Sequence, residues 1–226
     1  MTRSIGLWAG VRLDVARVVA ALCVWPGVVS ASAADQGPLT GRTTLVVRVY
    51  DGAGLAARDL REASRVASDI LRAGGVDLRW KTCPRLLSDA DASGCRQPLA
   101  ANEAVLRLIQ ASTTMSAEPT ALGFTLLDSR GRQAVLSTVF MDRVDDVARR
   151  AKIETTLLTG RAMAHELGHL LLGTPGHGDA GLMRAFWSDD ALRSQSDADW
   201  HLLPAEMDAI RAGRVQPALL DVAGGS

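Results

Sequence analysis

The chain has 226 residues, 47% of them hydrophobic, and its 25 basic and 25 acidic side chains cancel to a formal net charge of zero. That balance supplies neither a basic field for nucleic acid nor a polybasic patch for a membrane surface, so neither partner is expected. The mean composition suits a globular domain with a core of ordinary size.

The first element reads as an export signal over residues 1–33. Arg3, Arg12 and Arg17 precede a twelve-residue apolar run at 18–29, and Ala31, Ser32 and Ala33 then offer small side chains for cleavage. The run is too short to span a bilayer, which takes about 20 residues, and Pro26 and Gly27 interrupt it. Leu22 before Cys23 is bulkier than a lipoprotein signal tolerates. The expectation is therefore cleavage, no stable membrane span afterwards, and a secreted or periplasmic protein. The remaining residues 34–226, about 190, suffice for one domain with a substantial core and leave little room for two.

Residues 43–50, with Leu45, Val46, Val47 and Val49, predict a buried strand closed by the Asp51-Gly52 turn. Leu60, Ala63, Ala67, Ile70 and Leu71 recur at helical spacing and predict a helix over 56–73, stopped at Gly74-Gly75. Val76, Leu78 and Trp80 alternate with polar residues as a second strand. Cys83 and Cys95 follow in a polar loop, and in an oxidising compartment such a close pair predicts one disulfide. Residues 104–109, 122–127 and 134–141 predict three more strands, the last two joined by the turn-forming cluster at 128–131. A polar helical stretch at 143–151 leads into the histidine segment, and a last helix begins at Pro204 and ends at Gly213. Strand, helix, further strands and then helices make an α+β domain with a mixed sheet.

Three of the four histidines fall within thirteen consecutive positions. The segment 163–173, MAHELGHLLLG, carries H-E-x-x-H on helix-favouring residues. Four residues make slightly more than one turn, so His165 and His169 project from one face and can share a zinc ion through their imidazoles. Glu166 beside them is placed to act as a general base, taking the proton of an attacking water and passing it to the leaving group. Gly173 predicts the helix end, and the Pro175-Gly176 turn lets the chain reverse so that His177 supplies a third ligand. A fourth position is then left for water, as a catalytic zinc site requires. Asp179, His201 and Glu206 are the alternative third ligands, with Glu206 equally explained by the helix dipole near the start of the last helix.

These residues resemble the metzincin metallopeptidases, whose signature is H-E-x-x-H-x-x-G-x-x-H followed by a methionine turn beneath the metal. The corresponding residues here are His165, Glu166, His169, Gly173, His177 and Met183. Gly173 falls one position late and His177 two, giving H-E-x-x-H-x-x-x-G-x-x-x-H. Further stretches, including VRVY at 47–50, AGGV at 73–76 and HGDAGLMRAFW at 177–187, are similar to a group of uncharacterised exported bacterial proteins placed near the metzincins. The resemblance implies a twisted mixed sheet with an active-site helix, a methionine turn and a C-terminal helix. It also implies zinc as cofactor, a peptide or protein substrate, and residues 122–127 as the edge strand that aligns it. The tyrosine that joins the metal site in some metzincins has no downstream candidate, because Tyr50, the only tyrosine, lies in the first strand. The rival expectation is a non-catalytic exported binding module with a structural or vestigial zinc site. Nothing in the sequence sets the oligomeric state.

Overall fold

Alternation of apolar residues over residues 43–50 places Leu45, Val47 and Val49 on one face, and all three are fully buried at the centre of the sheet. They belong to β1 (Thr43–Asp51) in a computed structural model that describes residues 43–84, 94–111, 121–127, 136–194, 196–212 and 221–222. The expected export signal, the turn at 128–131 and the stop at Gly213 lie outside the described residues. After β1 come α1 (Ala57–Ala73), β2 (Val76–Cys83), β3 (Glu103–Ile109), β4 (Gly123–Leu126) and β5 (Leu136–Phe140). Then follow α2 (Met141–Ala151), α3 (Thr155–Leu172), the short α4 (Asp189–Arg193), α5 (Pro204–Arg211) and a two-residue β6 (Asp221–Val222).

The sheet order is β2-β1-β3-β5-β4, and β6 pairs with the start of β1. Neighbours from β2 to β5 run parallel, while β4 runs antiparallel to β5 and forms an edge among the described residues. Parallel strands need a crossover, and α1 supplies it between β1 and β2. The sheet is thus mixed, as expected, and the histidine helix, the buried Met183 and the C-terminal α5 complete the expected architecture.

α1 buries Leu60, Ala63, Ala67, Ile70 and Leu71 on one stripe and turns its charges to water. α3 differs, because it packs against α1, α2, β4 and β5 at once, and every residue from Leu158 to Leu172 is buried. Gly160 makes the close approach to α1 possible: a Cβ there would sit 2.5 Å from Val66 Cβ and 2.7 Å from the Ala63 carbonyl. α2 begins two residues before the expected start, because Met141 is buried together with Val144, Ala148 and Ala151 and so belongs to the helical stripe. α4 and β6 had no counterpart in the expected elements. α4 is a single turn started by the Ser188 hydroxyl, which accepts from Ala191 N at 3.2 Å.

Cys83 and Cys95 are disulfide-bonded, with Cα atoms 5.8 Å apart. The segment after Cys95 is held by the buried Arg48, which donates to the carbonyls of Gln97 at 2.6 Å and Pro98 at 3.1 Å and pairs with Glu103. Tyr50 donates its hydroxyl to Cys95 O at 2.9 Å, so the only tyrosine is committed to this loop. Among the described residues no helix is long and apolar enough to cross a membrane.

Candidate metal centre

His165 and His169 stand one turn apart on α3, and main-chain carbonyls orient both rings. His165 donates Nδ1–H to Leu182 O and His169 donates Nδ1–H to Thr174 O, each at 2.8 Å. A carbonyl only accepts, so Nδ1 carries the proton and Nε2 of each neutral ring keeps its lone pair. Those Nε2 atoms lie 3.1 Å apart, and Nε2 of His177 lies 3.1 Å from that of His169. Three nitrogens converge on one point. Imidazoles sharing a tetrahedral metal ion have nitrogens about 3.3 Å apart, so these two spacings leave room for one shared ion.

Electrostatics point the same way. Burial pushes His165 down to about 3, opposed by its bond to Leu182 O and reinforced by the two neighbouring imidazoles. Burial likewise lowers His169. Both rings are therefore neutral near pH 7, which is the state that binds metal.

Local backbone features bring His177 to this point. Gly173 ends α3 with φ 59°, a left-handed conformation that a glycine adopts without strain. Thr174 then accepts from Gly176 N at 3.1 Å through its hydroxyl, tightening the reversal. Gly178 N donates to Met183 O at 2.8 Å and closes the following loop, while Leu182 N donates to His201 O at 2.8 Å and ties it to the approach to α5. Of the two extra residues of the motif, the one before Gly173 lies within α3, which runs to Leu172, and the one after it lies in this turn. Met183 is buried directly under α3, its sulfur filling the space where Gly168 lacks a Cβ.

Among the described residues, His165, His169 and His177 are the group of His, Cys, Asp and Glu side chains close enough to hold one ion. The alternative third ligands stay outside it. Glu206 accepts from Leu203 N at 2.7 Å and caps α5, Asp179 is exposed, and His201 serves the methionine loop through its carbonyl.

Glu166 is buried beside the triad, and burial raises its carboxyl to about 7 against the lowering effect of a hydrogen bond from Thr125. It opens, with the three histidines, into a cleft of about 720 Å³. One wall is β4, with Gly123, Phe124 and Thr125; the other is the segment after the methionine turn, with Phe186 and Trp187. Among the described residues, Phe186 and Leu126 are the large hydrophobic side chains left exposed, at 78% and 53%, and the first of them stands at the cleft itself.

No family model matches the chain, and no curated protein matches it. Among solved structures it is similar to metalloproteinase-II from Bacteroides fragilis, at 14% identity and a TM-score of 0.47, over 76% of this chain and 53% of that one. It is also similar to archaemetzincin from Methanopyrus kandleri, at 16% identity and a TM-score of 0.46, over 76% of this chain and 96% of that one. The chain thus spans about half the length of the Bacteroides protein. At such identity nothing about activity transfers from either.

Sequence reasoning did not single out the side chains that brace this centre. Arg161, one turn before His165, donates to Leu192 O at 2.7 Å and Ser194 O at 3.1 Å while its guanidinium lies 3.7 Å over the Trp200 ring. Burial pushes it down to about 10, partly offset by Asp199. Trp200 meets Trp187 edge-on at 5.1 Å, and Trp187 meets His165 at 5.3 Å. The cleft wall is thereby clamped to the ligand helix. In the sequence Arg161 is one more basic residue on a helix, and nothing local marks it as buried.

Proposed function

We propose that this chain is an exported zinc-dependent metallohydrolase, in particular a peptidase, with residues 1–33 as a cleaved signal and 34–226 as its single domain. The carrying observation is the convergence of the three Nε2 atoms beside a buried carboxylate that opens into a cleft. His165, His169 and His177 would hold the ion, and neutral nitrogen donors set by backbone carbonyls suit zinc. When bound, zinc supplies a Lewis acid that polarises the scissile carbonyl and acidifies water. Glu166 takes the proton from the attacking water and returns it to the leaving amine, a role for which a carboxyl raised toward neutrality is suited. β4 offers the main-chain groups of an edge strand along the cleft, so an extended peptide can lie antiparallel or parallel to it with its carbonyl at the histidines. The metzincin-like motif supports the same substrate class, and the Cys83–Cys95 disulfide suits an oxidising compartment.

The purified protein should hold about one zinc per chain by elemental analysis and degrade fluorescein-labelled casein. Glu166→Ala should keep the metal and lose turnover, whereas His177→Ala should lose both. Zinc retained at full occupancy in His177→Ala would remove the third ligand. Zinc bound by the wild type with no cleavage of casein or of a mixed-sequence peptide library would leave the binding-module reading in its place.

A further inference from the structure

The edge strand does more than border the cleft. Gly123 and Thr125 are two residues apart on β4 and so share a face, the one turned toward α3. Ser137 on β5 stands directly opposite Thr125 in the antiparallel register, and their hydroxyls are 2.9 Å apart. This pair meets Glu166. Thr125 Oγ1 lies 2.8 Å from Glu166 Oε2 and 2.8 Å from Glu166 O, and Ser137 Oγ lies 3.1 Å from that same carbonyl. Gly123 leaves the room the carboxylate needs, since a Cβ there would stand 2.7 Å from Glu166 Oε1.

Two hydroxyl hydrogens serve these acceptors. Ionised Oε2 is the strongest of them and takes the Thr125 hydrogen, because a hydrogen bond to a charged acceptor is about twice as strong as a neutral one. Ser137 has one hydrogen, which it gives either to the Thr125 oxygen at 2.9 Å, backing that hydroxyl, or to Glu166 O at 3.1 Å. A hydroxyl can also accept from a carboxylic acid, so the grip holds in both forms that a general base passes through.

We infer that Thr125, supported by Ser137 and given space by Gly123, is the positioning residue that sets the Glu166 carboxylate against the cleft. Thr125 stands in the cleft wall with its hydroxyl on Glu166; it acts through Glu166, and its role rests on the peptidase reading given above. A second consequence follows from the same geometry. The strand proposed to align the substrate is the strand that holds the base, so seating of a peptide on β4 and placement of Glu166 share one element.

Thr125→Val keeps the shape and strand preference of threonine and removes the hydroxyl, while Thr125→Ser restores it. Zinc-loaded crystals of Thr125→Val should show the Glu166 carboxylate displaced from β4, with zinc content unchanged. On the best-cleaved peptide of a mixed-sequence library, kcat should fall about tenfold with KM within about twofold, and Thr125→Ser should recover most of the loss. A packing role would not separate kcat from KM in this way and would not be rescued by the smaller serine. A Thr125→Val crystal with the carboxylate in its wild-type place, or an undiminished kcat, would overturn the inference. If the wild type cleaves nothing, the peptidase reading falls, and the carboxylate position in the two crystals still decides the role of Thr125.

Discussion

α1 and α3 are helices of nearly equal length that touch along their sides, yet they treat charge in opposite ways. α1 keeps Glu62, Arg65, Asp69 and Arg72 in water, where they pair among themselves, and buries an uncharged face of Leu60, Ala63, Ala67, Ile70 and Leu71 with Ser64 and Ser68. α3 has no water-facing side over its last four turns, so Arg161, His165, Glu166 and His169 are buried and each is met by a specific partner. Burying a polar group without a partner costs several kcal/mol, about 2–7, so this concentration of satisfied polar groups is where the fold departs from simple apolar packing. The comparison teaches that the functional helix is recognised by what it buries, not by how amphipathic it is.

The largest effect should come from prising the two helices apart. Gly160→Val places a branched side chain against Val66 and the Ala63 carbonyl, and should lower unfolding free energy by about 3 kcal/mol in urea titration. Adding Val66→Ala should recover only part of that loss, since it removes Val66 Cγ1, at 2.7 Å, and leaves the nearer Cβ, at 2.5 Å, in place. A change below about 1 kcal/mol would show that α1 can slide away freely.

A smaller effect should appear in the metal-free protein, and with a definite sign. Burial holds the Glu166 carboxyl at about 7 in the folded chain, against an ordinary value of 4.5. The folded state therefore binds the proton more tightly than the unfolded state, so this group's stability contribution is full below 4.5 and lost as pH rises to about 7. Glu166→Gln removes the penalty. After chelation the glutamine variant should be more stable than wild type by about 3 kcal/mol at pH 8, and the difference should vanish near pH 4. Equal melting curves at pH 8 would mean that the carboxylate is not desolvated.

The smallest effect belongs to the exposed face of α1. Arg65→Ala breaks ion pairs to Glu62 and Asp69, both at 2.7 Å, but all three side chains are solvated. Screening and side-chain entropy cancel most of such pairs, so the melting temperature should stay within about 1 °C of wild type. A larger drop would erase the contrast between the two helices.

Both helices were legible in the chain, for different reasons. α1 announces itself by period, and its observed start lies one residue from the expected one. α3 has no usable amphipathic period, because it is buried on every side over its last four turns, and it was found by its histidines and by Gly173 at its end. His165, Glu166, His169 and the reversal to His177 depend on neighbours within thirteen positions, and short-range spacing carries that information. The same holds for Cys83 and Cys95. Gly123, Thr125, Ser137, Arg161 and Trp187 are of another kind. Threonine and serine in strands are ordinary strand residues until the antiparallel register sets them opposite each other and α3 lays Glu166 across them. Arg161 reads as a solvated charge until Trp200, 39 positions later, covers it. The absence of a side chain at Gly168 acquires meaning from the sulfur of Met183 returning beneath the helix. Period and spacing record which residues share a face of one element; which faces meet is settled by the packing of the whole chain, and the partners that hold a buried charge come from there.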